Sequence, residues 1–246
     1  AAPRYRTWDG SDMSAEATAQ STVSTIAWVV LKSSPVEYEM IMGAYSTGTG
    51  RLYVQTWDGN NWTSNWDTHL NASGNYRLFD IAYEKNSGDA IVVFGNSNDD
   101  KLYYRKRVDG TWDSSDQLLM TPDSEVYWVR AESRPTNDDI FVGMVDVDRF
   151  AYAMRWDGTA DSWGDQIQTS AKVKNAQKEA FDLTFERASG DAFLLWGDDA
   201  KNLKYRQFTS AWDSSDITAY LLPDEVMWLV AAHDPLATSS TFAIGM

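Results

Sequence analysis

The strongest constraint on this chain is a block of about 50 residues that occurs five times in its 246 residues. Each copy contains an aromatic strand, an apolar strand, a third strand that ends at a turn, and a short fourth strand. Self-similarity at this period predicts a radial or solenoid array of β units, because one unit cannot bury its apolar face alone. The third-strand turns are Trp8-Asp9-Gly10, Trp57-Asp58-Gly59, Val108-Asp109-Gly110, Trp156-Asp157-Gly158 and the degenerate Phe208-Thr209-Ser210.

The two ends of the chain predict how the array closes. The chain begins with a third and a fourth strand, from Pro3 onward, and finishes with a first and a second strand within Trp228–Met246. Neither half unit can protect its own strand edge, so we expect the two halves to form one shared blade. This predicts a single all-β domain over 1–246, a five-bladed β-propeller of four-stranded blades. The expected blades are 228–246 with 1–20, then 26–70, 79–120, 127–169 and 181–221.

A second periodicity of about 100 residues spans two blades. Phe79-Asp80 returns as Phe181-Asp182, and the segment Trp112–Asp116 returns as Trp212–Asp216. The repeating unit therefore resembles a double blade, with the blade that contains Trp28 as the unpaired copy. Each Asp-Gly pair between a third and a fourth strand also predicts a type I′ hairpin turn, which needs positive φ at both central residues.

Composition excludes several classes of function. The net charge is −15 and the pI is about 4.4, so nucleic acid and anionic membrane surfaces would repel the protein. Cysteine is absent, and only two histidines are present, His69 and His233. There is no phosphate-binding glycine loop, nucleophile elbow or His/Cys metal cluster. We therefore expect no cofactor, no metal, no nucleic-acid partner, no membrane insertion and a monomeric state.

The chain opens at Ala1 without an initiator Met and has no hydrophobic leader. A mature exported protein and an excised module both have this appearance, and we expect a secreted or cell-surface location.

The hairpin phrase in Leu52–Trp62 resembles the repeats of exported prokaryotic surface proteins. It is also similar to the repeats of fucose-binding propeller lectins, in which a strand ends in Asp-Gly before a Trp. In those lectins a sugar lies between blades against an aromatic face, held by an Arg and a Glu. Candidate arginines stand near the ends of the third strands, without a regular Glu beside them: Arg6, Arg105, Arg155 and Arg206.

Two sets of residues are candidate ligand contacts. When the first strands are aligned on their acidic ends, five residues fall at one equivalent position around the ring: Trp28, Asp80, Trp128, Asp182 and Trp228. The second set consists of the fourth-strand indoles Trp62, Trp112, Trp163 and Trp212. Indole faces can stack on sugar rings. The alternative is packing, in which each Trp wedges between blades and each Asp caps a neighbouring backbone amide.

Acidic residues also recur on the first strands, namely Asp80, Glu84, Glu132, Asp182 and Glu186. A glycosidase needs two carboxyl groups at a set separation, one of them with a raised pKa. Their regular recurrence argues against catalysis, because a catalytic site is asymmetric. The sequence therefore predicts a non-enzymatic propeller that binds a glycan or a surface partner. The alternatives are a structural or interaction module of a larger surface protein and a five-bladed glycoside hydrolase.

Overall fold

A computed structural model describes all 246 residues, which fold into 21 β-strands and no helix. The all-β class expected from the sequence is confirmed. No helix is present that could cross a membrane. Four large sheets, named A to D in chain order, lie between two terminal strand pairs.

Each sheet is antiparallel, and its strands follow one another in chain order. Sheet A contains β3 (Ile26–Ser33), β4 (Met40–Ser46), β5 (Arg51–Trp57) and β6 (Trp62–His69). Sheet B contains β7 (Phe79–Tyr83), β8 (Ala90–Asn96) and β9 (Lys101–Val108), with β10 (Thr111–Trp112) and β11 (Gln117–Met120) both paired to β9. Sheet C contains β12 (Val126–Ser133), β13 (Ile140–Asp146), β14 (Ala151–Asp157) and β15 (Ser162–Gln168). Sheet D contains β16 (Phe181–Phe185), β17 (Ala192–Gly197), β18 (Asn202–Phe208) and β19 (Ile217–Leu221).

The N-terminal pair consists of β1 (Arg4–Tyr5) and β2 (Ala17–Thr18), and the C-terminal pair consists of β20 (Val230–His233) and β21 (Phe242–Gly245). The expected shared blade would require β21 to pair with β1, and the structure contains no such pairing. Each pair is held by a different sheet. The backbone amide of Gln20 and the side chain of Gln55 bind the N-terminal pair to sheet A, whereas Ala231 donates to Asp182 of sheet D. As a result, one edge of β1 and one edge of β21 have no strand partner.

The hydrophobic core lies between the sheets rather than within any one of them. Three clusters of buried residues join sheet A to sheet B, sheet B to sheet C, and sheet C to sheet D with the C-terminal pair. The second strands β8 and β13 consist almost wholly of buried residues because both of their faces are covered. Strands covered on both faces need continuous apolar runs rather than alternation. Ile91-Val92-Val93-Phe94 is such a run.

One surface of sheet A lacks this cover. Val29 and Leu31 on β3 are 48% and 52% exposed. At the equivalent positions of the other sheets the side chains are buried by the preceding sheet, as for Phe79 and Ile81 of sheet B, both at 0%. The C-terminal pair exposes Val230 in the same manner. The C-terminal pair is thus separated by a gap from the N-terminal pair and from the adjoining face of sheet A, and we name this gap the seam. Val29 and Leu31 of sheet A bound it on one side, and Val230 of the C-terminal pair bounds it on the other.

The Asp-Gly turns differ from the type I′ expectation. Positive φ at both residues occurs only at Asp109 and Gly110. In three other turns the Asp carboxylate closes a longer loop by accepting two backbone N–H groups; Asp58 accepts from Asn60 and Asn61, at 2.8 and 2.7 Å. Asp9 and Asp157 do the same. These amides lower the pKa of the Asp58 carboxyl. The role of the Asp in these turns is therefore to accept backbone N–H groups through its carboxylate, an arrangement that is compatible with loops of different length.

Close packing between sheets generates a first prediction, at Gly43 of β4. A Cβ at this position would lie 2.7 Å from the Phe79 ring of sheet B. We expect Gly43→Ala to lower the free energy of unfolding by about 1–3 kcal/mol, since the neighbour is a buried ring that cannot move freely. Urea denaturation measures this change. Gly164→Ala is the control because nothing lies within 4 Å of its Cβ, and equal effects of the two substitutions would contradict the packing described.

Candidate functional site

Three of the predicted Trp side chains, from sheet A, sheet C and the segment before β20, meet in one cluster. The Trp128 ring lies 5.9 Å from Trp28 and 6.0 Å from Trp228, in edge-to-face contacts. Trp128 is fully buried, Trp28 is half-buried, and Trp228 is 50% exposed. Trp28 donates its indole N–H to Gly74 O and Trp128 donates to Ala176 O, both at 2.9 Å. These acceptors lie in the loops that lead into sheets B and D, so Trp28 ties sheet A to sheet B and Trp128 ties sheet C to sheet D.

Asp80 and Asp182 do not share the position of the Trp residues, which corrects the alignment made from the sequence. Trp28 pairs with Tyr45, one residue before the end of β4, whereas Asp80 pairs with Val93, three residues before the end of β8. Asp80 is therefore equivalent to Val30. Sheets A and C contain an irregularity just before their Trp. A two-residue offset keeps every side chain on the same face, so it is invisible to the alternating pattern.

The two Asp residues instead join neighbouring sheets. The Asp80 carboxylate accepts the N–H of Ile81 on its own strand and of Ala131 on β12. Asp182 repeats this arrangement two sheets later, accepting from Leu183 at 2.9 Å and from Ala231 at 2.8 Å. Both side chains are buried, at 2% and 3% exposure. These are the contacts that the packing interpretation requires.

Two arginines balance the buried carboxylates. Arg77 lies 3.2 Å from Asp80 and 2.6 Å from Glu179, and Arg130 lies 3.0 Å from Glu179 and 3.2 Å from Asp182. Burial nevertheless raises the pKa of Asp182 to about 6, with Arg130 and two backbone amides opposing the shift. The network links the inner parts of sheets B, C and D, and unpaired charges at this depth would be costly.

The fourth-strand indoles are separated from one another, each lying at a different outer junction. Trp62 packs against Tyr5 and Trp57, and Trp163 packs in the same way against Tyr104 and Trp156. Trp112 contacts Trp66, while Trp212 contacts Phe141 and donates to Asp165 O. Trp62 is buried, and the other three are half-buried. Each of them covers the contact between two sheets.

All five recurring carboxylates have partners within the chain. Besides Asp80 and Asp182, Glu84 accepts from Ser87 and from the Trp156 indole. Glu132 lies 3.4 Å from Lys32, and Glu186 accepts from Ser189. Burial raises the pKa of Glu84, which its two hydrogen bonds partly offset.

An open cleft lies between the N-terminal pair and sheet A, and we name it the aromatic cleft. Its cavity of about 620 Å³ is lined by Tyr5, Thr7, Tyr38, Trp57 and Asn60, among others. Tyr5 contacts the Trp57 ring edge to face at 5.3 Å and forms one wall with it. Tyr38 stands at the rim and is 94% exposed.

The loop that carries Tyr38 is held firmly. Ser34 N–H donates to Glu39 O at 2.9 Å and closes the loop. The Glu39 carboxylate receives both terminal nitrogens of Arg107 at 2.6 Å and the Tyr83 hydroxyl at 3.1 Å. An Arg–carboxylate fork of this kind is among the stronger polar contacts. The exposed Tyr38 ring therefore projects from a backbone that is fixed to sheet B.

The same junction two sheets later differs in the side chain that lies over its aromatic wall. There, Tyr104 and Trp156 take the places of Tyr5 and Trp57. The Lys106 ammonium lies 5.2 Å from the centre of the Trp156 ring and is paired with Asp161. In the N-terminal copy this lysine is replaced by Thr7, equivalent because both follow the paired Tyr by two residues. Without the lysine, Trp57 keeps 8% of its surface exposed, against 1% for Trp156.

Sequence reasoning included Trp62 of this region but missed Tyr38 and Trp57 as a site. The usable signal was the difference between two copies: Thr7 against Lys106, and Tyr38 against Asp138. A search for repeated residues selects the positions that all copies keep, which are the ones that hold sheets together.

No family model matches the chain, and no curated protein matches it. Solved structures do. A mutant of AofleA from Arthrobotrys oligospora superposes with a TM-score of 0.57 at 11% identity, covering 99% of this chain and 71% of that one. A mutant of the Aleuria aurantia lectin in complex with α-methyl-L-fucoside gives 0.54 at 12% identity, covering 89% and 76%. A lectin from Burkholderia pseudomallei gives 0.56 at 16% identity, covering 82% and 59%.

The Aleuria aurantia lectin is described as a six-bladed β-propeller with a novel mode of fucose recognition. At these identities the likeness shows the fold alone. The chain has a β-propeller type of architecture, in which four large sheets pack against one another in chain order through their buried faces.

The raised pKa of Asp182 generates a pH prediction. The folded value, about 6, exceeds the ordinary 3.8, so the folded state holds this proton more tightly. The associated stabilisation is complete below pH 3.8 and is lost as the pH rises through 6. We expect the stability of the wild type relative to Asp182→Asn to fall by up to about 3 kcal/mol between pH 4 and pH 7. Urea denaturation across this range measures the difference. Asp224→Asn, at a 90% exposed side chain, is the control, and parallel wild-type and Asp182→Asn profiles would contradict the prediction.

Proposed function

We propose that this protein is a non-enzymatic carbohydrate-binding propeller and that the aromatic cleft is a sugar site. The observation that carries the proposal is an open cleft with the half-buried Tyr5 on its wall, an edge of Trp57 that is 8% exposed, and the exposed Tyr38 at its rim. Aromatic faces bind the C–H faces of sugar rings, and the rigid loop limits the entropy lost on binding. Thr7, Ser14 and Asn60 supply hydroxyl and amide groups for sugar hydroxyls.

Two further observations support this proposal. The carboxylates that a glycosidase would need are engaged in structural contacts, as described for Asp80, Glu84 and Asp182. The similar structures from Aleuria aurantia and Burkholderia pseudomallei are lectins, and the Aleuria aurantia lectin was solved with α-methyl-L-fucoside. A glycan of a cell surface is the partner that fits, and a secreted or cell-surface location belongs to the same proposal. Of the residues predicted from the sequence, Trp62 alone packs against the cleft wall.

A binding experiment tests the cleft. A glycan array followed by titration calorimetry should identify a sugar that binds the wild type. Tyr38→Ala should weaken that binding about 10-fold, because it removes an exposed ring from the contact with the sugar, and burying roughly 60 Å² of apolar surface is worth about 1.5 kcal/mol. Thr7→Lys should also weaken it, since the lysine would cover Trp57 as Lys106 covers Trp156.

Val36→Ala is the matched control, because Val36 lies in the same loop at 51% exposure and does not line the cleft. A flat response of the wild type across the array would refute carbohydrate binding and favour an interaction module of a larger surface protein. A sugar that binds with unchanged affinity to both cleft variants would refute the cleft as its site.

We further propose that the functional form is a five-bladed ring in which the two terminal pairs make the fifth blade. Closure would cover Val29 and Leu31, whose counterparts in sheets B, C and D are all buried. It would also place the half-exposed Trp228 in the wedge position that Trp28 and Trp128 already occupy. Burial of these apolar surfaces favours closure by roughly 25 cal/mol for each Å² removed from water.

A cysteine pair tests closure, because the chain contains no other cysteine. The register of the complete sheets places Ala243 opposite Thr7 once β21 pairs with β1. Thr7→Cys combined with Ala243→Cys should therefore form an intramolecular disulfide under mild oxidation, seen as a mobility shift on non-reducing gels. The control pairs Thr7→Cys with Ala232→Cys, one strand further away and beyond disulfide reach. Equal cross-linking of both pairs, or of neither, would contradict the closed ring.

A further inference from the structure

The outer parts of neighbouring sheets meet at junctions where a cation of the chain lies over an aromatic ring. This holds where sheet A meets B, where B meets C, and where C meets D. The pairs, with the distance from Arg Cζ or Lys Nζ to the ring centre, are Arg105 over Trp66 at 4.6 Å, Lys106 over Trp156 at 5.2 Å and Arg155 over Phe208 at 5.6 Å. The face of an aromatic ring attracts a cation, most strongly where water is excluded.

Each of these cations is also paired with a carboxylate. The ion pairs are Arg105 with Asp116, Lys106 with Asp161, and Arg155 with Asp139, Asp157 and Asp165. The three junctions therefore share one polar arrangement, in which a positive charge is held between an aromatic ring and a carboxylate.

The remaining outer junction is the aromatic cleft, which has the rings without the cation. Its trio of Tyr5, Trp57 and Trp62 repeats the aromatic contacts of the junction between sheets B and C. Thr7 stands where that junction has Lys106. No Lys or Arg lines the cleft. The position that a cation of the chain takes elsewhere is therefore left to a cation from outside.

One carboxylate beside the cleft has no cation either. Glu37 lines a smaller cavity of about 170 Å³, which adjoins the cleft because both are lined by Tyr38, Trp57 and Gly59. The backbone N–H of Glu37 donates to Ser34 Oγ, while its exposed carboxylate forms no ion pair. This carboxylate is available to a positively charged ligand that reaches the cleft.

The other charged groups around the cleft are engaged within the chain. Glu16 lines the cleft and is paired with Arg4. Arg6 lines an adjoining cavity and donates to Ser14 O at 2.8 Å. With a net charge of −15, the protein as a whole also attracts cations rather than anions.

We propose that the aromatic cleft selects a sugar with a free amine, a hexosamine unit whose ammonium group takes the place that the Lys106 ammonium takes between sheets B and C. In this arrangement the ammonium lies at the exposed edge of Trp57 and pairs with Glu37, while the sugar ring lies against Tyr38. The cleft, at about 620 Å³, is within the usual size range of ligand sites. The proposal rests on the carbohydrate-binding function proposed above and adds to it the charge of the ligand.

Two linear tetramers test the proposal on the full chain, one of glucosamine and one of N-acetylglucosamine. They share a backbone and differ in the amine alone. Titration calorimetry at about pH 5.5, where the amines are protonated, should show about 10-fold tighter binding of the glucosamine tetramer. Glu37→Gln should weaken this binding about 5-fold and leave the binding of the acetylated tetramer unchanged, because only the ammonium pairs with the carboxylate.

Asp224→Asn is the matched control for Glu37→Gln. It removes the same charge from a 90% exposed side chain outside the cleft, so it measures the general attraction of a cation to an acidic protein. Equal affinities of the wild type for the two tetramers, or equal effects of Glu37→Gln and Asp224→Asn, would overturn the proposal.

A second pair of variants separates charge from space. Thr7→Lys introduces the ammonium that Lys106 supplies in the other copy, whereas Thr7→Met fills similar space without charge. We expect Thr7→Lys to weaken the binding of the glucosamine tetramer about 5-fold more than Thr7→Met does, because it places a second cation at the same position. Equal losses in the two variants would overturn the proposal.

Failure of this proposal and failure of the proposed function are distinguishable. A neutral glycan that loses affinity in Tyr38→Ala, with no binding of the glucosamine tetramer, refutes the amine selectivity and leaves carbohydrate binding in place. No binding of either tetramer or of any glycan on the array refutes both. Binding of the peptide Ala-Lys-Ala as tight as that of the glucosamine tetramer would assign the cleft to a lysine of a protein partner and overturn the hexosamine.

Discussion

The architecture depends on carboxylates that bridge neighbouring inner strands. Asp80 and Asp182 each accept one amide from their own strand and one from the next sheet. Inner strands of adjacent sheets are not paired by a ladder, so their edge amides need another acceptor, and a buried amide left without one is costly. Beside each Asp bridge the Arg77 or Glu179 carbonyl accepts a second amide from the next sheet. Charge-assisted hydrogen bonds of this kind contribute about 1.5–3 kcal/mol each.

These Asp bridges alternate with Trp wedges around the molecule. Trp28 closes the junction of sheets A and B, Asp80 that of B and C, Trp128 that of C and D, and Asp182 that of D and the C-terminal pair. This alternation is the physical basis of the 100-residue periodicity. Sheets A and C carry the Trp, and sheets B and D carry the Asp. The smallest repeating unit therefore contains two sheets, one of each kind.

The sequence was sufficient for the fold class, the four large sheets and the half units at the ends, because aromatic and β-branched runs between turn residues are strong local signals. It was insufficient for register. Aligning Asp80 with Trp28 preserved the face of every residue, and only the pairing of Asp80 with Val93 showed the two-residue offset. It was also insufficient for the seam. The sequence shows that the two terminal strand pairs are complementary and could form one blade. Whether they pair depends also on the contacts that hold the N-terminal pair to sheet A and the C-terminal pair to sheet D.

A comparison of the repeated copies distinguishes contacts that hold the sheets together from side chains that are left accessible. A contact found in both copies of a double unit, such as the bridges of Asp80 and Asp182, is explained by the architecture they share. A group satisfied in one copy and free in the other has no such explanation. The Trp156 ring is covered by Lys106 and is 1% exposed, while Trp57 lines the cleft beside Thr7 and is 8% exposed. Copies of one unit thus act as controls for one another, and the exchange of Lys106 for Thr7 is the divergence on which the proposed cleft rests.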